Sequence, residues 1–453
     1  MTDLLYSETE RDLAAALADL LGNRAAPADV IARTERPETY DTKLWRTVAA
    51  EIGIAGLLIP EALGGAGASY RELAAAAEQF GAFAAPIPYL GSAAVATAAL
   101  LSAARSAAAD DARSGTAAAG STAPGAQVAP ALDADDEGGF GSASSGPAAA
   151  LRAAQLRAAA RTQADGAASA ASGTRAALVS PAAGLLRQLS DGNLTAALAV
   201  TATVRPGTPF PARARVAGRG DATSGMVKLR GTIPAVADAL PADVLLVPAD
   251  GVPSALYLVE AAAPGVHRTP LVSIDMTRQL CEITLDDAEA RQVAVGEAAV
   301  AAVSAGLAAG AAILAAEQLG LAQRCLDLTV AYVKERRQFA RQVGSFQAVK
   351  HRLADLWTTI TQARAASRYA AACLADGDKD APVAVALAKS ACCEAAVTAA
   401  QECVQLHGGI GFTWEHPAHL YLKRAKAASV AFGTPGAHRA ALADLVNLPS
   451  PGA

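Results

Sequence analysis

A group of glycines near the C-terminus of the chain has the composition of a phosphate-binding turn. Residues 405–412 read QLHGGIGF, in which Gly408 and Gly409 are adjacent and Gly411 follows. Because glycine has no β-carbon, its backbone can approach a phosphate more closely than that of any other residue. The same pattern also occurs where a helix ends or a loop begins, so the turn alone leaves both interpretations open.

The residues around the turn favour a cofactor site. Apolar residues recur at helical spacing over 383–406 and lead directly into the glycines, which predicts that the turn lies at a helix C-terminus. Upstream, the chain carries the segment 336–340, which reads RRQFA, and the segment 344–347, which reads GSFQ. The guanidinium of Arg336 could hold a pyrophosphate through two hydrogen bonds. The alternative is a favourable interaction of this cation with the dipole of a helix that ends there.

These segments resemble the paired flavin-binding motifs of the acyl-CoA dehydrogenases, in sequence and in spacing. The resemblance implies that the cofactor is FAD and that it is bound by Arg336, Gln338, Phe339, Gln347, Gln405, Gly408, Gly409 and Thr434. In this family the arginine holds the pyrophosphate, the two glutamines at 338 and 347 bind the nucleotide, and the phenylalanine packs on its adenine side. The glycine turn is implied to reach the pyrophosphate from a neighbouring subunit. Ala340 stands where the family usually has glycine.

The reaction of the family requires a catalytic base, and here the sequence departs from the pattern. In α,β-dehydrogenation of an acyl-CoA thioester, a carboxylate removes the α proton while the flavin accepts the β hydride. The resemblance places this carboxylate immediately before a Gly-Thr pair, where the chain has Phe432, or, in a minority of members, near the start of the long helix, where it has Gly310. Neither residue can act as a base.

Glu317 is the one carboxylate within the apolar run and is therefore the candidate base. An unpaired acid in so apolar a setting would have a raised pKa, which suits a base. The alternative is that Glu317 forms an ion pair with Arg324 or with a residue of a neighbouring helix.

The resemblance predicts an FAD-dependent acyl-CoA dehydrogenase of actinobacterial type, an oxidoreductase acting on CH–CH bonds in fatty acid or sterol side-chain metabolism. Two alternatives remain open because both usual base positions lack glutamate. In the first, the chain is the non-catalytic partner of a heteromeric dehydrogenase and completes its FAD site. In the second, it is a cofactor-free binding or structural protein. The implied partners are an acyl-CoA substrate, a related subunit in a homo- or hetero-oligomer, and an electron-transfer acceptor.

Periodicity along the chain predicts an α+β architecture with helices first, then a small β domain, then helices again. The resemblance implies that the middle part is a β-barrel and the last part a helix bundle, the order found in the family. Helical spacing occurs in the first part and the last, and short runs rich in Val, Leu, Ile and Thr occupy the middle. Between the first two parts lies an Ala/Gly/Ser/Asp-rich insertion, expected to be disordered apart from a marginal helix over 148–161. The predicted parts are an N-terminal helical domain (1–101), the insertion (102–184), a middle β domain (185–294) and a C-terminal helical, FAD-binding domain (295–453).

Composition excludes several classes of protein. The net charge of −5 and the scattered basic residues provide no surface for nucleic acid. The six cysteines lack paired CxxC spacing, and charged residues interrupt the apolar N-terminus, so a reduced cytoplasmic protein without a signal peptide is expected. Residues 298–316 are uncharged but rich in Ala and Gly, which favours a packed internal helix over a membrane span. His416 and His419 lack the HExxH order, so no metal site is predicted.

Overall fold

The structure, a computed structural model, describes residues 4–118, 180–219 and 226–449. These residues form an N-terminal helical domain, a middle β-barrel and a C-terminal helix bundle, which confirms the predicted fold class. The N-terminal helices are α1 (Glu8–Arg24), α2 (Pro27–Thr34), α3 (Thr42–Arg46), α4 (Tyr70–Ala82) and α5 (Thr97–Ala118), with π-helical turns at Thr47–Glu51 and Leu90–Ala96. Capping boxes formed by Ser7 with Glu10 and by Ser69 with Glu72 begin α1 and α4.

The segment predicted as a disordered insertion is helical at both ends. Helix α5 continues to Ala118, so residues 102–118 belong to the N-terminal domain, contrary to the prediction. A further helix, α6 (Pro181–Ser190), packs against α5 and begins with Ser180 as its N-cap. The predicted boundaries of the insertion are therefore too wide, because alanine has a high helix propensity even where large apolar side chains are few. Residues 119–179, including the predicted helix over 148–161, lie outside the described residues.

The middle domain is a closed barrel. Its strands are β1 (Ala196–Leu198), β2 (Ala214–Arg219), β3 (Met226–Ala237), β4 (Val244–Asp250), β5 (Ala255–Glu260), β6 (Val266–Leu271) and β7 (Leu280–Val295). The strands pair in the order β1-β4-β2-β3-β7-β5, and an additional pairing of β5 with β4 closes the ring. Strand β4 pairs in parallel with β1 and β2, whereas its pairing with β5 is antiparallel, for example Leu245 with Val259. Inward-facing residues such as Ile233 and Ile283 form a core separate from that of the helices.

The C-terminal domain surrounds one long helix. Its elements are α7 (Glu297–Glu335), a hairpin of β8 (Arg337–Gln338) and β9 (Arg341–Gln342), α8 (Gln347–Asp376), α9 (Ala381–His407), α10 (Ala418–Val430) and α11 (Pro435–Leu445). Helix α7 is apolar around most of its circumference and packs against α4, α5, α8 and α9. It crosses α4 at Gly81 and Gly320, where a β-carbon would overlap the backbone of the facing helix. Small residues in α7 therefore permit close helix packing.

Three helical segments among the described residues are long and apolar enough to cross a membrane by length and composition alone: 90–110, 297–335 and 381–412. In the fold, 67% of the most apolar window of α7 is buried inside the protein. The helix that contains residues 298–316 is thus a packed internal helix, as the sequence predicts.

Candidate functional site

The end of α7 presents the first predicted cofactor motif to solvent. The helix stops at Arg336, and the chain reverses through the β8–β9 hairpin, with Phe339 and Ala340 at φ +53° and +60°. Phe339 is 87% exposed and makes one edge contact, with Phe346 at 6.2 Å between ring centres. A left-handed backbone conformation at an exposed aromatic residue costs free energy that no contact within the hairpin offsets. The hairpin therefore has the properties of a ligand-binding element.

The side chains that carry the first motif are free to bind a ligand. Arg336 is exposed, and its guanidinium has no hydrogen-bond or ion-pair partner within the described residues. Gln338 in the hairpin and Gln347 at the start of α8 are exposed as well. The predicted nucleotide contacts of these residues stay predictions, and their exposure is compatible with them.

The glycine turn is open on its outer side. Helix α9 ends at His407, Gly408 adopts φ +64°, and a single 3₁₀ turn follows over Gly408–Phe412. Among the described residues, and apart from the adjoining residues of the chain, no atom lies within 4 Å of the place that a β-carbon would occupy at Gly408 or Gly409. Gly411 differs, because a β-carbon there would lie 2.5 Å from the Val404 carbonyl oxygen. Gly411 is thus required by the fold, whereas the first two glycines leave space for a ligand.

The two motifs lie at the same end of the helix bundle. Tyr332, one helical turn before Arg336, stacks on the ring of His407 with 4.4 Å between ring centres. His407 directly precedes Gly408, so the stacked pair joins the end of α7 to the glycine turn. Gln405 is exposed on the last turn of α9. The structure therefore places the end of α7, the start of α8 and the end of α9, which carry the predicted FAD-binding residues other than Thr434, at the same end of the helix bundle.

Thr434 belongs to the loop between α10 and α11. Its side chain accepts a hydrogen bond from the backbone N–H of Ala437 at 3.3 Å and so caps α11. The hydroxyl therefore has a structural role in the chain, and its predicted contact with the cofactor stays a prediction.

These features fit FAD. An open glycine turn and a free guanidinium suit the pyrophosphate, and an exposed aromatic ring suits the adenine. These groups could form only one side of an FAD site, since all of them are exposed at the surface and none encloses a ligand.

Phe432 and Gly310 occupy the two positions expected for a catalytic base, and they lie in direct contact. A β-carbon at position 310 would lie 2.6 Å from Cε1 and Cζ of the Phe432 ring and 2.9 Å from Cγ2 of Val95. Phe432 is 9% exposed. The aromatic ring thus fills the space in which a carboxylate would act.

Glu317 does not have the environment predicted for a base. It is completely buried and accepts hydrogen bonds from Arg278 at 2.6 Å, from Arg424 at 2.9 Å and from the hydroxyl of Tyr89. Burial alone would raise the pKa of Glu317, but the two guanidinium groups outweigh burial and lower the pKa to about 2. This geometry suits a structural carboxylate and disfavours the predicted catalytic role.

The partners of Glu317 come from all three domains. Tyr89 belongs to the N-terminal domain, Arg278 precedes β7 of the barrel, and Arg424 lies in α10. The predicted partner Arg324 instead places its guanidinium over the ring of Phe83, at 5.7 Å. The alternative of an ion pair with a neighbouring element is the arrangement found, with Arg278 and Arg424 as the partners of Glu317.

One buried cation near Phe432 was not identified from the sequence. Lys389 in α9 is fully buried, and its Nζ lies 2.7 Å from Sγ of Cys393, 3.1 Å from the Ala428 carbonyl oxygen and 3.4 Å from that of Gly433. It thus binds the C-terminal end of α10 and the loop that follows. Its signal in the sequence is a single charged residue within the apolar stretch 381–393.

Two family profiles match the chain. The N-terminal domain of acyl-CoA dehydrogenases matches residues 7–110, and the C-terminal domain of the same family matches residues 298–446. The chain belongs to the acyl-CoA dehydrogenase family.

Two of the similar proteins of known sequence come from Mycobacterium tuberculosis. Acyl-CoA dehydrogenase IpdE2 of Mycobacterium tuberculosis is 48% identical over 156 residues, which are 34% of this chain and 44% of that protein. Acyl-CoA dehydrogenase FadE34 of the same organism is 40% identical over 196 residues, which are 43% of this chain and 26% of that protein. The chain thus spans less than half the length of these relatives.

Similar solved structures cover nearly the whole chain. The ChsE4-ChsE5 complex from Mycobacterium tuberculosis has a TM-score of 0.71 at 25% identity and covers 99% of this chain and 100% of that one. A variant of the Tcur3481-Tcur3483 steroid ACAD has a TM-score of 0.68 at 26% identity, over 97% and 98% of the two chains. These similarities confirm the three-domain fold.

Proposed function

We propose that this chain is the non-catalytic partner subunit of a heteromeric acyl-CoA dehydrogenase, in which it completes the FAD site and a related subunit supplies the base. The observation that carries the proposal is the contact of the Phe432 ring with Gly310, described above. The two residues at the positions from which a family glutamate would act are thus apolar and pack against each other. Family membership supports FAD-dependent acyl-CoA dehydrogenation by the assembly as a whole.

Packing around Gly310 leaves little room for an acyl chain on this side of α7. A β-carbon at Gly306 would lie 2.9 Å from the carbonyl oxygen of Val95 and 3.3 Å from Cβ of Ala99. Helix α7 and the segment that includes the start of α5 therefore approach each other almost backbone to backbone. A substrate whose α carbon had to reach this point would need to separate two closely packed helices, at the cost of their buried contacts.

The position of Phe432 is fixed by its neighbours in three elements. Its backbone N–H donates to the Ala202 carbonyl oxygen at 2.7 Å, and its own carbonyl oxygen accepts from Nε2 of His438 at 2.7 Å. Phe432 adopts φ +52°, a region disfavoured for a bulky residue, and Lys389 contacts the next carbonyl oxygen along the chain. A strained backbone conformation of this kind persists only where the surrounding contacts hold it in place. The position of the Phe432 ring is therefore enforced by the fold.

The residues retained at the other end of the bundle support a role in cofactor binding. When bound, FAD supplies the hydride acceptor of the family reaction. Arg336 would hold the pyrophosphate, Phe339 would cover the adenine side, and the turn at Gly408 and Gly409 would approach the phosphates. The free guanidinium and the strained, exposed Phe339 are difficult to explain in a cofactor-free protein, so that alternative is not favoured.

The hetero-oligomer and the remaining partners belong to the proposal. Two of the similar solved structures carry the names of two proteins, ChsE4-ChsE5, which is called a complex, and Tcur3481-Tcur3483. These paired names are consistent with a partner subunit for this chain. An acyl-CoA substrate bound mainly by the partner, a separate electron-transfer acceptor and a cytoplasmic location follow from family membership as expectations.

The test compares the chain alone with its native complex. The tagged chain is isolated from its own cells under mild conditions, and flavin absorbance and dye-linked acyl-CoA oxidation are measured on the complex and on the chain purified alone. We expect flavin and activity in the complex and little turnover by the chain alone. Robust turnover by the chain alone would contradict the proposal. Arg336→Ala in the tagged chain should reduce the flavin content of the complex, with Arg337→Ala as the matched control.

A further inference from the structure

The glycine turn is closed at its base by two histidines. His407 ends α9, and His416 follows the turn just before α10 begins at Ala418. Their imidazole rings pack together with 4.2 Å between ring centres, and His407 stacks in turn on Tyr332 of α7 at 4.4 Å. The three rings therefore hold both ends of the segment 408–415 against the end of α7.

His416 also caps the helix that follows it. The backbone N–H of Ala418, the first residue of α10, donates a hydrogen bond to Nδ1 of His416 at 3.2 Å. Nδ1 thereby satisfies one of the N–H groups that every helix leaves free at its start. It can accept this bond only as a neutral imidazole, because protonation places a hydrogen on the same nitrogen. A charge there would also face the positive end of the α10 dipole. The closed arrangement is therefore specific for neutral His416.

His407 tolerates a proton more readily than His416 does. Its Nδ1 donates a hydrogen bond to the Cys403 carbonyl oxygen at 2.6 Å, which a neutral and a charged imidazole can both do. Burial opposes a charge on His407, but the contacts with Cys403 outweigh burial and raise the pKa of His407. Burial and the charge on His407 lower the pKa of His416 from its ordinary value of 6.5. A proton on His416 would place two like charges in contact.

The remaining groups around His416 leave this preference in place. Cys403 of α9 raises the pKa of His416, whereas His419 of α10 lowers it. From α7 the cluster receives the phenol ring of Tyr332, which stacks on His407. Glu415, the preceding residue, is exposed to solvent. Burial and the two neighbouring histidines outweigh Cys403, so the neutral form of His416 is the one favoured at neutral pH.

We propose that neutral His416 is a positioning residue for the cofactor, which closes the glycine turn in the shape that approaches the FAD pyrophosphate, and that protonation of His416 opens the turn and weakens FAD binding. The inference rests on the proposed function in one respect, namely that FAD binds at this turn. His416 does not need to touch FAD, because it acts through the ring of His407 and through the start of α10.

Protonation shifts a population between a closed and an open turn. Charged His416 loses the hydrogen bond from Ala418 and meets the charge on His407. Because the pKa of His416 is lowered in the folded protein, its contribution to the closed form is present above pH 6.5 and is lost as the pH falls through the lowered pKa. Only the closed fraction binds FAD fully, so the apparent affinity falls with that fraction. A direct contact of His416 with phosphate would have the opposite sign, because phosphate attracts an imidazolium.

The first arm of the test measures the affinity of the native complex for FAD by flavin fluorescence, at about pH 7.5 and about pH 5.5. We expect the dissociation constant to be about threefold to tenfold larger at the lower pH, as for the loss of one helix cap. His416→Asn keeps a side-chain oxygen that can accept from the Ala418 N–H and does not titrate, so its affinity should be high at both pH values. His416→Ala should bind FAD weakly at both.

The matched control is His351→Asn, at an exposed histidine of α8. This variant should keep the pH dependence of the unmodified protein. FAD binding that strengthens as the pH falls would overturn the proposal, and so would a pH dependence that His416→Asn leaves unchanged.

The second arm follows the turn itself. Hydrogen exchange of peptides that cover residues 408–418 is measured in the native complex at both pH values and corrected for the intrinsic effect of pH on exchange. The Ala418 N–H should lose protection at the lower pH in the unmodified protein and in His351→Asn, but not in His416→Asn. Equal protection at both pH values would refute the opening of the turn. Loss of protection in a complex that binds no FAD at either pH would support the opening of the turn and contradict the proposed FAD site.

Discussion

The ring of Phe432 lies so close to Gly310 that a β-carbon at position 310 would fall 2.6 Å from two of its carbon atoms. The two residues are far apart in the sequence, one in α7 and the other in the loop after α10. A carboxylate side chain at position 310 could not share this space with the ring. The two positions that lack glutamate therefore form one packing contact.

A double-mutant cycle tests this contact. Gly310→Ala should destabilise the protein by about 1–3 kcal/mol because its methyl group overlaps the ring, and Phe432→Ala should cost about 3–5 kcal/mol through the cavity it leaves. The double variant should be more stable than the sum predicts, because the new methyl group occupies part of that cavity. Chemical denaturation measures the three free energies of unfolding.

The matched control for this cycle is Gly184→Ala. Gly184 lies in helix α6, and no atom of another described element lies within 4 Å of the place for its β-carbon. Its replacement should be neutral or slightly stabilising, by up to about 1 kcal/mol. Strictly additive effects at positions 310 and 432 would mean that the two residues do not interact.

Arg336→Ala should weaken FAD binding about tenfold to a hundredfold, since it removes charge-assisted hydrogen bonds to a phosphate. Equilibrium titration with FAD, followed by flavin fluorescence on the complex, measures the change. Arg337→Ala is the control, because Arg337 is also exposed and lies in the same hairpin. Equal loss in both variants would indicate a general effect of positive charge instead of a specific contact.

Ala340→Gly should stabilise the β8–β9 hairpin. Ala340 adopts φ +60° where the family usually has glycine, and the left-handed region costs a residue with a β-carbon about 1–2 kcal/mol. Part of this gain is offset by the larger entropy of glycine in the unfolded chain, so a net gain of about 0.5–1 kcal/mol is expected. Thermal denaturation measures it, and a lower melting temperature would contradict this reading of the turn.

The fold could be predicted from the sequence because its signals are local, and the segments with the predicted cofactor contacts, which stay predictions, could be recognised for the same reason. Helical and strand periodicity arise from neighbouring residues, and the flavin motifs are short segments with a fixed order. The environment of Glu317 could not be predicted in this way. Its pKa depends on Arg278 and Arg424, which only the folded arrangement of three domains brings together. The apolar residues around Glu317 in the sequence predict a raised pKa for its carboxyl group. The two arginines, which are distant in the sequence, lower that pKa instead.

The contact between Phe432 and Gly310 was outside the reach of sequence analysis for the same reason. Each position could be recognised as lacking glutamate, but nothing in either segment indicates that the two are in contact.

The early end assigned to the N-terminal domain has a different cause. The alanine-rich residues 102–118 carry few large apolar side chains, and their helical structure depends on the continuation of α5.

The last prediction concerns Glu317 and acid stability. Glu317→Gln should destabilise the protein by about 3–5 kcal/mol, because it leaves the buried guanidinium of Arg424 without a charged partner and leaves Arg278 with Asp238 alone, at 3.9 Å. Glu394→Gln is the control: Glu394 pairs with Arg439 at the surface, where its side chain is 56% exposed, and a change below about 1 kcal/mol is expected.

The pH dependence of stability separates this role from that of a catalytic base. The pKa of Glu317 falls from 4.5 to about 2 on folding, so its contribution is fully present above pH 4.5 and is lost as the pH falls towards 2. By linkage this contribution is on the order of 3 kcal/mol. Thermal unfolding between pH 5 and 2 should therefore show a smaller acid-dependent loss in Glu317→Gln than in the unmodified protein. Identical pH profiles would show that Glu317 is not held ionised by its arginines, and the candidate base would have to be reconsidered.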